Sequence, residues 1–139
     1  MESRDVLTFA ATRAGFERAF RQLRTILDRH HLRPRARYRC ELVFEEVVSN
    51  IIRHGSADDR KPRISMILGV GSDRLELRFE DDGLPFDPCQ PATAPAEPPA
   101  GSDRGGRGLL LVRSVAERLD YERTPQQRNQ LTVTIAAWG

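Results

Sequence analysis

Three short stretches of this 139-residue chain combine residue types and spacings that suit chemistry. The first is Glu46-Val47-Val48-Ser49-Asn50, followed one turn later by His54. On a helix turning about 100° per residue, Cys40, Val43, Phe44, Val47 and Ile51 form an apolar stripe. Glu46, Asn50 and His54 fall in a row along its edge, while Glu41 and Glu45 point the other way. A carboxylate held on a buried face is costly unless something compensates it. Glu46 therefore either serves a cation, a bound water or a proton transfer, or it bonds a neighbouring backbone or arginine. The second stretch is Asp81-Asp82-Gly83. The alternation Leu75, Leu77, Phe79 continues to Asp81 and turns it inward while Asp82 faces out. An inward aspartate followed by a glycine suits recognition of an amino group such as a purine's, although Asp-Gly is also ordinary turn chemistry. The third is Arg104-Gly105-Gly106-Arg107-Gly108 ahead of an apolar helical run. Glycines opening a helix offer backbone N–H groups and the positive dipole end to phosphate, or act simply as a hinge.

The elements that must position these residues follow from hydrophobic period. Val6 to Ala11 reads as a strand, and Thr12 caps a helix carrying Phe16, Ala19, Phe20, Leu23, Ile26 and Leu27. Pro34 suits the first turn of a second helix running to about His54, where Gly55 stops it. Ile64 to Val70 and Leu75 to Phe79 alternate around Gly71-Ser72-Asp73-Arg74, the pattern of a hairpin. Five prolines between residues 87 and 107 break all periodicity, so this segment is expected to be a long mobile loop, serving as a lid or as a tolerated insertion. A third helix is predicted from Leu109 to Leu119. A last strand alternates at Leu131, Val133 and Ile135 after a turn-like stretch from Thr124 to Asn129. Paired strands with amphipathic helices predict an α+β, two-layer sandwich, with a mostly antiparallel sheet and helices on one face.

Composition narrows the function classes. With 39% hydrophobic and 30% charged residues, the chain has the size and balance of one domain, residues 1–139. Its 22 basic and 20 acidic residues leave a net charge of +2, which gives no electrostatic case for nucleic acid or an anionic membrane. The start, Met1-Glu2-Ser3-Arg4-Asp5, lacks the layout of a secretory signal, and no apolar run approaches the roughly 20 residues of a membrane span. A cytoplasmic location is expected. Cys40 and Cys89 support neither a disulfide framework nor a four-ligand zinc site, and both are expected to be free thiols. The basic run from Arg29 to Arg39 is either a docking patch or a solvated face. Walker and Rossmann glycine signatures are absent.

The order of the motifs adds a resemblance. A helical Glu-x-x-x-Asn, a strand ending Asp-x-Gly and a Gly-x-Gly opening a helix resemble the Bergerat-fold (GHKL, histidine-kinase-like) ATPases. Within that superfamily, Glu46-Val-Val-Ser-Asn50-Ile-Ile-Arg-His54-Gly55, Asp81-Asp-Gly83-Leu-Pro-Phe-Asp-Pro88 and Gly106-Arg-Gly108-Leu-Leu-Leu are most similar to the bacterial anti-sigma-factor serine/threonine kinases. The stretch ahead of the second helix is too short for the phosphoacceptor helix of a sensor histidine kinase. The resemblance implies ATP and Mg2+ as cofactors, with Asn50 as metal ligand. It implies that Asp81 and Gly83 meet adenine, that Gly106, Gly108 and Leu109 lie at the phosphates, that Arg104 reaches the γ-phosphate from an ATP lid at about 87–107, and that Glu46 is the general base. His54 joins the site or merely closes its helix. Implied partners are a small anti-anti-sigma (STAS-domain) protein as phosphoacceptor, a sigma factor, and a second copy of the chain. The usual Gly-Thr pair before the last strand is replaced by Asn129-Gln130-Leu131-Thr132, which leaves Thr132 as the adenine-side candidate. A non-catalytic nucleotide-binding module is the alternative, and Glu46 discriminates, since a pure binder has no use for a base.

Overall fold

Alternation of apolar and polar side chains builds a sheet with one face to bury, and capped amphipathic helices supply the cover. The computed structural model describes residues 3–55, 60–87 and 107–137. Its elements run β1 (Ser3–Ala10), α1 (Arg13–His30), α2 (Pro34–His54), β2 (Arg63–Val70), β3 (Arg74–Asp81), α3 (Arg107–Val115), β4 (Arg118–Arg123) and β5 (Asn129–Ala136). The five strands form one antiparallel sheet in the order β1-β2-β3-β5-β4. Every second residue of β2, β3 and β5 enters a single core shared with α1 and α2. The expected α+β two-layer sandwich is the observed architecture.

Local chemistry sets the helix ends. The Thr12 hydroxyl accepts from the Gly15 N–H at 3.0 Å and so starts α1, a cap whose loss costs about 1 kcal/mol. Pro34 opens α2 where its missing N–H has no intrahelical partner to lose, and the Gly55 N–H closes the helix on the Ile51 carbonyl at 2.7 Å. The rotation of α2 about its axis is set by Phe44. Its ring lies 5.9, 5.5, 5.7 and 6.5 Å from those of Phe9, Phe16, Phe20 and Phe79, so it is packed by β1, α1 and β3 together. With Phe44 inward, the edge row Glu46, Asn50 and His54 is turned toward the C-terminal end of β3.

Two elements differ in extent from the periodicity. The first strand starts at Ser3 rather than Val6 and ends at Ala10. The third helix ends at Val115, and Leu119 belongs to β4, a strand not expected from the sequence. The reason is β5: the Glu117 N–H donates to the Thr134 carbonyl, and Arg118 to Arg123 then pair along β5, closing hydrogen bonds that a longer helix would leave open. The basic run is used in ties between elements. Arg29 and His30 contact Asp5 of β1, and Arg37 pairs with Asp28 and Glu41. Cys40 is buried under α2, where desolvation pushes its thiol up to about 12 and leaves it unreactive. Cys89 and residues 88–106, most of the expected lid, lie outside the described residues.

Candidate functional site

The C-terminal half of α2, the end of β3, the loop after it and the start of β5 enclose a cleft. Its walls are apolar, made by Val47, Ile51, Phe79, Leu109 and Leu131. Against them stand a few polar groups, Asn50, Asp81, Asn129 and Tyr121, the composition usual for a small-molecule site.

Asp81 and Asn129 organise the polar side. They face each other across paired strands, and both are almost wholly buried. Asp81 Oδ1 accepts from the Gly83 N–H at 2.9 Å and from Asn129 Nδ2 at 3.1 Å. Asn129 Nδ2 also donates to the Leu84 carbonyl at 2.8 Å, and its Oδ1 accepts from Tyr121 Oη at 2.5 Å and from the Phe86 N–H at 3.3 Å. One asparagine thus ties β3, β4, β5 and the 83–86 loop together. Burial pushes the Asp81 carboxyl above the ordinary carboxylate range. The bonds from Asn129 and Gly83 pull it back, the charge of Asp82 adds to the rise and that of Arg123 opposes it. Asp82 faces outward as expected, paired with Arg60 at 3.1 Å and accepting from the Arg63 N–H at 2.8 Å.

Across the cleft, Asn50 is buried one turn after Glu46, which is buried too. Asn50 lines the cleft, whereas Glu46 lies beside it on the same side of α2 and forms no part of its wall. His54 ends α2 with its ring stacked on Phe86, centroids 4.9 Å apart and planes at 11°. Partial burial, then the charge of Arg53, hold its imidazole below the ordinary value. Gly83 sits against the backbone of Gly55, and Arg123 donates to its carbonyl at 3.1 Å.

The structure therefore brings Asn50, His54, Asp81 and Leu109 into one cleft, with Gly83 behind Asp81 and Glu46 at its flank. Gly108 is the second residue of α3. Arg104 and Gly106 lie outside the described residues. Thr132 is not brought to the cleft. Strand alternation turns Asn129 and Leu131 toward the helices and Thr132 to the opposite face, where its register partners are Arg78 and Asp120. The position expected of Thr132 is taken by Asn129, and the alternation Asn129, Leu131, Val133, Ile135 carried that signal. Tyr121 and Phe86 were also missed, because β4 and the loop after Gly83 have too few apolar repeats to show which way they face. Among the described residues, no three His, Cys, Asp or Glu converge as a metal cage. Asn50 and Asn129 are the two amides of the cleft, and the Asn129 oxygen already accepts two hydrogen bonds, so a hard cation held there would take the Asn50 amide oxygen and complete its shell from a ligand and water.

Comparison with known proteins points to an ATPase domain family. A family model described as the histidine kinase-like ATPase domain matches residues 9–135. The serine-protein kinase RsbW of Bacillus subtilis (strain 168) is 28% identical over 101 residues, covering 69% of this chain and 59% of its own. The serine-protein kinase RsbW of Bacillus velezensis is 29% identical over 87 residues, covering 59% and 54%. The chain thus spans little more than half the length of these curated relatives.

Proposed function

The chain belongs to the histidine kinase-like ATPase domain family, and from that premise we propose that it is an ATP-dependent serine/threonine protein kinase that also acts as an anti-sigma factor. In this reading residues 1–139 form a single cytoplasmic kinase domain that works as a homodimer. It binds ATP with Mg2+, phosphorylates a small STAS-domain anti-anti-sigma protein and sequesters a sigma factor that this protein would otherwise release.

The observation that carries the proposal is the half-satisfied Asp81 carboxylate. Both described hydrogen bonds fall on Oδ1, and no described residue bonds Oδ2. An apolar slot in which one buried carboxylate oxygen is left open by the described residues fits a flat purine whose amino group donates to that oxygen. Gly83 serves adenine recognition from behind Asp81: its N–H fixes Oδ1, and its missing side chain lets the loop close on Gly55. Asn50 would offer its amide oxygen to magnesium, Gly106, Gly108 and Leu109 would meet the phosphates, and Arg104 would neutralise the γ-phosphate. His54, stacked on Phe86, walls the end of the cleft. Bound ATP supplies the phosphoryl group. Glu46 takes the proton from the acceptor hydroxyl, which suits a carboxylate to which no described residue donates or pairs. Both relatives are called serine-protein kinases, which supports a hydroxyl as acceptor.

The test separates binding from transfer. Glu46→Ala is expected to keep magnesium-dependent affinity for a fluorescent ATP analogue while phosphate transfer to a STAS-domain substrate falls by about 100-fold or more. Asn50→Ala is expected to lose the magnesium dependence of binding. Equal transfer rates for wild type and Glu46→Ala would leave a nucleotide-binding regulatory module in place of a kinase.

A further inference from the structure

The helical period sorts the residues after Glu46 into two rows. Those four and eight positions on, Asn50 and His54, drift to one side and line the nucleotide cleft. Those three and seven positions on, Ser49 and Arg53, drift to the other side. There, with Ile52 and the α1 residues Arg13 and Phe16, they line a second, more open groove. By that period Glu46 falls between the two rows, one turn ahead of them, buried and lining neither surface.

The groove is apolar at its base, through Phe16 and Ile52, and cationic at its rim. Arg13 is 93% exposed, and its described acid partner is Glu17 at 3.4 Å, itself 55% exposed, a weak pair that a better anion displaces. Among the described residues Arg53 has no acid partner. Two cations over an apolar base fit a protein surface that presents a carboxylate beside an apolar side chain. A nucleic acid would need a longer track of cations than the two arginines of this groove.

If Glu46 is the base, the acceptor hydroxyl must reach its carboxylate while the nucleotide occupies the cleft side. We infer that the groove of Arg13, Phe16, Ser49, Ile52 and Arg53 docks the phosphoacceptor protein, gripping an acidic side chain of that partner and so bringing its hydroxyl to the side of α2 that carries Glu46. This inference rests on the kinase reading for its delivery step. The docking itself is separable. Arg13 and Arg53 are positioning residues that act on the partner, with no contact to ATP.

The experiment takes the full chain with Arg13→Glu and Arg53→Glu together, and a panel of STAS-domain proteins from the same cell. Direct binding titration, steady-state transfer and affinity for a fluorescent ATP analogue are the readouts. The double variant is expected to raise KM and the dissociation constant for the partner by about tenfold or more, since charge reversal at an interface adds repulsion to the lost attraction. ATP affinity and kcat at saturating partner stay unchanged, and Arg13→Lys with Arg53→Lys restores KM. Unchanged KM with normal transfer sinks the groove and keeps the kinase. Partner binding that depends on these arginines, without transfer by the wild type, sinks the kinase and keeps the groove. A matching loss of ATP affinity, or a panel that neither binds nor is phosphorylated, overturns the docking assignment.

Discussion

Asp81 carries its charge into a place where burial raises its pKa, and the two hydrogen bonds on Oδ1 only partly pull it back. A folded-state pKa above the unfolded value means that the folded form binds the proton more tightly. Stability from this group therefore falls as pH rises from the ordinary carboxylate value to the raised one, and stays low above it. Asp81→Asn keeps an Oδ1 acceptor for Gly83 and Asn129 and removes the buried charge. The variant is expected to be no less stable than wild type at pH 7 and to lose the acid-range slope in its unfolding midpoint, as read by thermal melts across pH. In the same protein, ATP affinity is expected to fall about ten- to 100-fold, because a hydrogen bond to a charged acceptor is lost. Unchanged affinity would remove Asp81 from adenine recognition. Asp81 was legible in the sequence because the β3 alternation runs straight into it. Asn129 obeys the same rule on β5, but its position beside a turn hid it. Its function depends on facing Asp81 across paired strands 48 residues apart in sequence, which no local pattern states.

At the scale of elements, the cleft depends on how tightly the loop after β3 crosses the end of α2. A Cβ on Gly83 would lie 2.5 Å from the Gly55 carbonyl oxygen and 2.9 Å from Asp81 Oδ1. The Leu84 N–H donates to that same Gly55 carbonyl at 3.1 Å, so neither backbone can retreat without losing the bond. Gly83→Ala is therefore expected to destabilise the chain by about 1–3 kcal/mol in denaturant unfolding and to weaken nucleotide binding at the same time. A stable variant with full affinity would mean that the crossing is loose. The ends of α1 and α2 agree with the sequence reading because Thr12, Pro34 and Gly55 act within one turn of their own positions. The end of α3 does not. Leu119 keeps helical spacing from Val112 and Val115, and the competing claim comes from β5, whose free edge captures Arg118 to Arg123.

At the scale of the whole molecule, one face of the sheet is covered by helices and β1 is an outer strand. Val6 on that strand is 61% exposed. Placing the interface of the proposed homodimer on this edge predicts that Val6→Lys shifts the chain to monomer in sedimentation equilibrium while its melting temperature holds. A dimer unaffected by that change would place the interface elsewhere. The sequence by itself determined the layer architecture, the inward turn of Asp81 and the row of Glu46, Asn50 and His54. Each follows from a period of 3.6 or 2 read over a few neighbouring residues. Only the tertiary structure decided how α2 is rotated against the sheet, since that depends on Phe44 meeting Phe9, Phe16, Phe20 and Phe79 from three other elements. It also decided that Asn129 rather than Thr132 faces the cleft, and that Asn50 and Arg53 line two different concave surfaces. These outcomes rest on contacts between segments far apart in the chain, whose energies have no counterpart in local spacing.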